Sequence, residues 1–470
     1  MDGLQPYPVM NDSGVTWLGQ VPEHWSTIAL RHRYSQCLGK MLDAKRVRGE
    51  HSLRYLRNTD IQWDRINTRD LPIMDIAPEE YARYTVEAGD LLVCEGGEVG
   101  RSAIWSGDPE PCGFQKALHR LRPISRQSDI PRFLFYVLQV AATAGAFADG
   151  HESTIAHLTG DKFRAHRFPF APCSEQTAIV RFLDHADRRV RRYVRAKRKL
   201  ICLLEEQKQA IIHQAVTRGL DPDVRLRPSG VEWLGDIPEH WEIRRNGRLF
   251  AQRNQTGFAD LPILEVSLRT GVRVREFEKG ARKQVMSDRD KYKRAAKGDL
   301  AYNMMRMWQG AVGVAPVDGL VSPAYVVASP LSGVDVRYFA SLFRTPAYMG
   351  EVDNHSRGIV KDRNRLYWED FKQIFSPYPP LDEQEAIAKF IDARSESIAN
   401  AVAQVEREID LLNEYRTRLI ADVVTGKLDV RAAAASLSDE TGESDVPDDT
   451  CVDVDEDEEL ADDESVEADT

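Results

Sequence analysis

Residues 13–25 read SGVTWLGQVPEHW, and residues 229–241 read SGVEWLGDIPEHW. Ten of the 13 positions are identical, at an offset of 216. A second set of matches follows. EQTAIVRFLD (175–184) returns as EQEAIAKFID (383–392), and VTRGLD (216–221) returns as VTGKLD (424–429), both at an offset of 208. A period above 200 residues is far longer than a solenoid unit and implies two whole domains in series. The residues between the matching ends are diverged. A repeated frame with diverged inserts reads as two binding heads that recognise two different things.

The chain has room for this. Its 470 residues can hold two or three domains, each with its own core, and 42% hydrophobic with 29% charged residues is an ordinary globular composition. No stretch approaches the roughly 20 apolar residues of a membrane span. The first residues, MDGLQPYPVMNDSG, are polar and lack the apolar region of a signal peptide. Cys37, Cys94, Cys112, Cys173, Cys202 and Cys451 are scattered without a C-x-x-C pair. That pattern argues against a zinc site or a disulfide framework and for a reducing cytoplasm. The net charge of −11 hides an asymmetry. Residues 438–470 carry 17 Asp and Glu and no Lys or Arg, which leaves residues 1–437 at +6. Such a tail cannot bury a core and is expected to be disordered.

Periodicity divides the chain further. Residues 1–25 are an N-terminal frame segment, in which Ser13-Gly14 and Pro22-Glu23 form turns and Trp17, Leu18 and Trp25 supply packing. His24 and His240 have no ligand partner at helical spacing, so the frame reads as a structural cap rather than a metal site. Residues 26–174 read as a mixed α/β domain. Gly89-Asp90 turns into a buried strand to Cys94, Val99–Trp105 returns, and Ile130–Val140 has a helical pattern. Residues 175–218 form a long helix, with Leu183, Ala186, Val190, Tyr193, Leu200, Leu204 and Ile211 on one stripe interrupted by Lys197.

Residues 219–241 are a connector and the second frame. Residues 242–380 are a second mixed domain, with Gly298-Asp299 and Val334–Phe343 matching parts of the first. Residues 381–430 are a second long helix, striped by Ile391, Ile398, Val405, Ile409, Leu412, Leu419 and Val423. Residues 431–470 are the acidic tail. The predicted class is α+β: two tandem mixed α/β heads separated by two long coiled-coil helices. The matching stripes are best buried against each other as an antiparallel pair, with one head at each end and a pseudo-twofold repeat.

The usual tools of a self-sufficient enzyme do not stand out. There is no P-loop and no G-x-S-x-G. His151, Glu152 and His157 (HESTIAH) miss the H-E-x-x-H spacing of a zinc helix. Tyr378-Pro379-Pro380 lacks the Asp or Asn of an amino-methyltransferase loop, and GGEVG (96–100) is too weak a glycine fingerprint.

Several residues suit nucleic acid. Arg188–Lys199 (RRVRRYVRAKRK) holds eight basic residues in 12 and no acid. Arg188, Arg189, Arg191 and Arg192 lead it. The run is either a solvated helix face or a contact for phosphates or an acidic partner. In the second head, Arg306 and Trp308 follow a strand, and Lys361, Arg363 and Arg365 precede the return to the helix. Arg and Lys can bond guanine edges, though each of these residues also fits an ordinary surface role.

Taken in order, the motifs resemble a known family. The order is W-L-G-x-[VI]-P-E-H-W, a diverged domain, then P-x-x-E-Q-x-A-I opening a long helix, all repeated once. Here the second motif is Pro172, Glu175 and Gln176, then Pro380, Glu383 and Gln384. Over about residues 10–430 this resembles the specificity subunit of a type I DNA restriction–modification system. The resemblance implies that the heads are target recognition domains, the helices are spacers, and the subunit is not catalytic and binds no cofactor. It implies as partners double-stranded DNA, two modification subunits that use S-adenosylmethionine to methylate adenine at N6, and restriction subunits that use ATP and Mg. It implies a cytoplasmic location. Recognition residues vary within the family, so none is carried over, and the acidic tail has no counterpart in the family core. Two heads on a spacer would read a bipartite target, with half-sites roughly 34 Å apart, one turn of B-DNA. A non-catalytic helical scaffold that binds only proteins, and an enzyme with an unrecognised site, stay open as alternatives at this level.

Overall fold

The computed structural model describes residues 4–42, 49–109, 111–147, 157–268, 270–275, 289–358 and 364–438. The chain divides into two compact units. One is Met1–Lys197 together with the chain from Arg407 onward, and the other is Arg198–Glu406. Each unit therefore holds one head, the start of that head's own long helix and the end of the other one.

In the first unit a short hairpin, Met10–Asp12 with Gln20–Pro22, precedes the head. The head's first strand, Ser26–Ala29, pairs antiparallel with its last, Arg167–Phe170. Between them lies a four-stranded antiparallel sheet in the order Ser102–Ile104, Leu91–Cys94, Leu118–Pro123, Tyr34–Leu38. Leu91–Cys94 is buried on both faces, as its unbroken apolar run requires. Leu91 and Val93 join the core that includes Phe133, Leu134 and Val137 of the helix Pro131–Thr143. Leu92 and Cys94 join a second core with Cys112 and Phe114. That core faces a smaller mixed sheet in the order Ile73–Asp75, Ser52–Leu56, Cys112–Phe114, Thr85–Val86, in which the central pair is parallel.

The second unit repeats the plan. Leu226–Pro228 pairs with Asp236–Pro238, and Glu242–Arg245 pairs with Phe375–Tyr378. The sheet runs Val312–Val314, Leu300–Asn303, Tyr325–Pro330, Phe250–Arg253, the same order as in the first head. The smaller sheet differs. Lys293–Ala295 still pairs with Gly319–Val321, but the parallel partner shrinks to a single bridge, Ile263 to Leu320. A buried aspartate shows how the frame survives divergence. Asp90 and Asp299 each accept a backbone N–H, from Glu87 at 2.7 Å and from Ala296 at 2.8 Å. A buried carboxylate needs a cation. Arg122, on the adjacent strand, supplies it in the first head, and Arg253, one strand further out, supplies it in the second, both at 2.6 Å.

The long helices are Cys173–Arg218 and Leu381–Val424. The second stops short of the expected residue 430, because Gly426 turns left-handed (φ +74°) and Lys427 N–H caps the Asp422 carbonyl at 2.8 Å. A Cβ on Gly426 would lie 2.2 Å from Pro22 Cδ, so this helix end is seated against the first frame. Gly219 (φ +77°) ends the first helix in the same way, against Trp241 of the second frame and Glu383 at the start of the second long helix. The repeated VT-x-x-LD string is thus the docking end of each helix.

Within the first unit the two helices are antiparallel. Going forward from Asp187 to Lys197 on one goes back from Arg416 to Glu408 on the other, the partners with which they form ion pairs. Within the second unit, Ile212 and Val216 share a core with Ile387 and Ile391. The apolar seam differs from the expected stripe. Leu183 and Val190 are buried, but Tyr193 is 45% exposed and Leu200 is 40% exposed. An α-helix of 3.6 residues per turn carries a heptad stripe about 20° off the contact face per heptad. Val194 and Ile201, both half-buried, take up the positions that Tyr193 and Leu200 leave.

Asp187 is buried and bonds both Arg191, at 2.7 Å, and Arg416 of the opposite helix. Removing this carboxylate should leave the half-buried Arg416 without this counter-charge and Arg191 with Asp64 alone. Asp187→Ala is expected to cost about 3 kcal/mol, read as a fall in the urea midpoint. A loss within experimental error would show that the pair is incidental.

Candidate nucleic-acid interface and the frame that carries it

The most repeated contacts in the molecule hold the neck of each head. Glu175, nearly fully buried, accepts the Trp25 indole N–H at 3.1 Å, faces His24 Nε2 at 2.8 Å and accepts the Tyr7 hydroxyl. Burial and the bond to Glu175 push the Tyr7 phenol above its ordinary value, so it stays a donor. In the second unit Glu383 accepts Trp241 Nε1 at 3.0 Å and faces His240 Nε2 at 2.8 Å. The neighbouring glutamines are used identically. Gln176 Oε1 accepts Ile130 N–H at 2.9 Å while its Nε2 donates to Ala171 O at 2.8 Å. Gln384 Oε1 accepts Asp335 N–H at 2.9 Å while its Nε2 donates to Pro379 O at 2.8 Å. PEHW and EQ are therefore two halves of one clamp. Both motifs are plain in the sequence, and their joint recurrence is the signal that they meet. Among the described residues no group of three His, Cys, Asp or Glu could hold a metal ion. No described helix is long and apolar enough to cross a membrane.

The basic run of the first long helix separates into two kinds of residue. Arg191 is half-buried and bonds Asp64 of the head and Asp187 of its own helix, both at 2.7 Å. Lys197, which interrupts the apolar stripe, bonds Glu408 of the opposite helix at 2.5 Å. These two fix structure. Arg188, Arg189 and Arg192 are exposed, as is Arg195. A hydrogen bond from Arg189, reinforced by its charge, holds the Tyr193 phenol below its ordinary value.

In the second head, Trp308 is half-buried against the core, and its indole N–H donates to Met305 O at 3.0 Å. Arg306 is half-buried and opens the same short turn. Arg365 is half-buried, and its backbone bridges to Arg357. Lys361 and Arg363 lie outside the described residues, as do His151 and Glu152 of the HESTIAH string and the acidic tail from residue 439.

Two heads of one strand order, clamped alike at the neck and joined by long helices, define a class of paired recognition modules. Residues 45–197 match the family model of the type I restriction modification DNA specificity domain. The chain is 23% identical over 446 residues to a putative type I restriction enzyme MjaX specificity subunit of Methanocaldococcus jannaschii, covering 88% of this chain and 96% of that one. A solved chain from a study of complex assembly and conformational transition of the type I R-M system shares the fold. Its TM-score is 0.63 at 15% identity, over 87% of this chain and 99% of that one. These likenesses are to the DNA specificity domain and the specificity subunits of type I restriction–modification systems.

The clamp can be tested by truncating each carboxylate. Glu175→Ala strands the buried Tyr7 and Trp25 donors, an expected loss of about 3 kcal/mol. Glu383 has a quarter of its side chain exposed and only two aromatic partners. Glu383→Ala should cost about 1–2 kcal/mol. Chemical denaturation of both variants checks the order, and equal losses would refute it.

Proposed function

We propose that this chain is the non-catalytic DNA-specificity subunit of a type I restriction–modification complex. Each head reads one half of a bipartite DNA target. The long helices, each of which starts in one unit and ends in the other, set the distance between half-sites and dock two modification subunits. Those subunits carry S-adenosylmethionine and methylate adenine at N6, and the restriction subunits carry ATP and Mg. The target base leaves the stack into the partner's pocket, and the complex works in the cytoplasm. The observation that carries the reading is the shared clamp and strand order around diverged inserts: the neck is kept while the inserts differ.

Phosphate contacts fall to the exposed Arg188, Arg189 and Arg192. Arg191 holds the helix to the head. In the second head, Arg306 and Arg365, with Lys361 and Arg363, are the candidates to reach DNA, and Trp308 supports the turn that presents Arg306. For the modification subunits, Tyr193, Leu411 and Tyr415 offer exposed apolar surface on the helices of the first unit.

Replacing residues 242–378 with the matching segment of a relative should change one half of the methylated motif and leave the other, as read by methylome sequencing. A change in both halves, or in neither, sinks the two-reader model. Duplicating four residues near Leu204 lengthens that helix by about 6 Å. The gap between half-sites should lengthen while both half-sites stay the same. An unchanged gap in a still-active complex counts against the helices as a ruler.

A further inference from the structure

We infer that Asp64 is a positioning residue: it braces the first head against both long helices at a second point beyond the neck, and so holds that head's half-site in register. Asp64 lies in the two-residue turn between Ile61–Gln62 and Arg65–Ile66. Its backbone is left-handed (φ +62°), and its N–H donates to Ser102 O at 3.1 Å. The turn places its carboxylate between two arginines. Oδ2 accepts from Arg132 of the head's helix at 3.0 Å and from Arg191 of the first long helix at 2.7 Å. Each arginine goes on to a further aspartate. Arg132 bonds Asp184 at 2.9 Å, and Arg191 bonds Asp187 at 2.7 Å. Asp187 then meets Arg416 of the second long helix. Cations and anions thus alternate, in equal number, along one connected path that joins the head to both helices. Only 15% of the Asp64 side chain and 6% of the Asp187 side chain are exposed, so salt screens this path far less than it screens surface pairs.

The second repeat shows that the brace is not part of the shared frame. Gln176 holds Ile130 N–H as Gln384 holds Asp335 N–H, which aligns Arg132 with Arg337. Asp184 corresponds to Asp392 at the offset of 208. In the second head Arg337 bonds Asp335 at 2.7 Å and lies 3.7 Å from Asp392, whose side chain is 65% exposed. Ser395 and Ala399 stand where the first helix has Asp187 and Arg191. The helix side of the brace therefore exists in the first repeat alone.

Its distance from the neck gives it leverage. Arg191 lies 16 residues beyond Glu175 on the same helix, about 24 Å further along. A head fixed only at its neck can tilt there. A tilt of about 8° moves a point about 24 Å away by about 3.4 Å, one base-pair step of DNA. A second fixed point at that distance removes this freedom. The consequence for DNA rests on the proposed function, but the brace itself does not.

Two experiments on the full chain separate these. Asn tolerates a left-handed backbone, so Asp64→Asn removes the charge and keeps the turn. Without DNA, amide hydrogen exchange of residues 61–67 should be about tenfold faster in Asp64→Asn, and likewise in Arg191→Gln, with no further gain in the double variant. Unchanged exchange in both single variants overturns the brace.

The second experiment assembles the chain with its modification subunits and measures methylation of duplexes whose half-sites have the native gap or a gap one base pair longer or shorter. The wild-type complex should favour the native gap about a hundredfold, and Asp64→Asn should cut that preference about tenfold. The sequence of each half-site should stay the same. Glu80→Gln, which removes an ion pair with Lys40 inside the same head, and Asp392→Asn should keep the full preference. A full preference in Asp64→Asn, or an equal loss in Glu80→Gln, overturns the positioning role. A wild-type complex that methylates no bipartite duplex would instead overturn the proposed function, and the exchange result would still decide the brace.

Discussion

A carboxylate drawn into a packed neck, almost fully buried at Glu175 and three-quarters buried at Glu383, must find donors, and this need organises both heads. Glu175 finds Tyr7, His24 and Trp25, and Glu383 finds His240 and Trp241. The donors come from the frame before each head, and the acceptor comes from the first turn of the helix after it. The neighbouring glutamine ties down the loop that precedes the head's own helix. About 150 residues of chain are thus closed at the neck by one side-chain cluster. Closing a long loop costs only slowly more entropy as the loop grows. The insert can therefore change in length and sequence while its root stays fixed. That is the physical basis for two heads whose inserts differ on a constant scaffold.

Burial decides what each arginine does. Arg191 and Arg188 lie three residues apart in one basic run, yet one is half-buried between Asp64 and Asp187 and the other is exposed. A half-buried guanidinium must be paired, because taking an unpaired charge out of water is expensive. An exposed one gains little from any single surface partner and stays available to a polyanion. The same rule explains Asp90 and Asp299. Both are buried and both are neutralised, but by arginines from different strands. The constraint is that the carboxylate be paired, not that a particular residue pair with it.

The helix pair joins the two repeats through ends as well as faces. Gly219 and Gly426 both adopt the left-handed turn, and each brings its helix end against the frame of the other repeat. A side chain at Gly426 would collide with Pro22. The VT-x-x-LD string is repeated because it is half of an exchange: each repeat supplies the helix end that completes the other unit. The proline of the frame is its receptor in one unit, and the tryptophan–glutamate pair of the clamp is its receptor in the other.

The sequence by itself determined the repeat, the two mixed domains, the buried strand at Leu91–Cys94 and the long helices. These follow from local periodicity and from identity at a fixed offset, which need no knowledge of what touches what. It also carried the family resemblance, since PEHW and EQ recur in order. Other features depended on the tertiary structure. The meeting of Trp25 with Glu175 spans 150 residues, and no local pattern announces it. The division of the basic run into Arg191 and Lys197 against Arg188, Arg189 and Arg192 required the positions of Asp64 and Glu408, which lie on other elements. The heptad reading placed Tyr193 and Leu200 in the seam, but the helical period turned them outward. Trp308 is a nucleic-acid candidate from its neighbours in sequence, and only the structure shows that its indole N–H donates to Met305 O. Pattern in a chain fixes elements, because elements are local. Which charges are buried, and by whom they are met, is decided only when elements far apart in sequence compete for the same space.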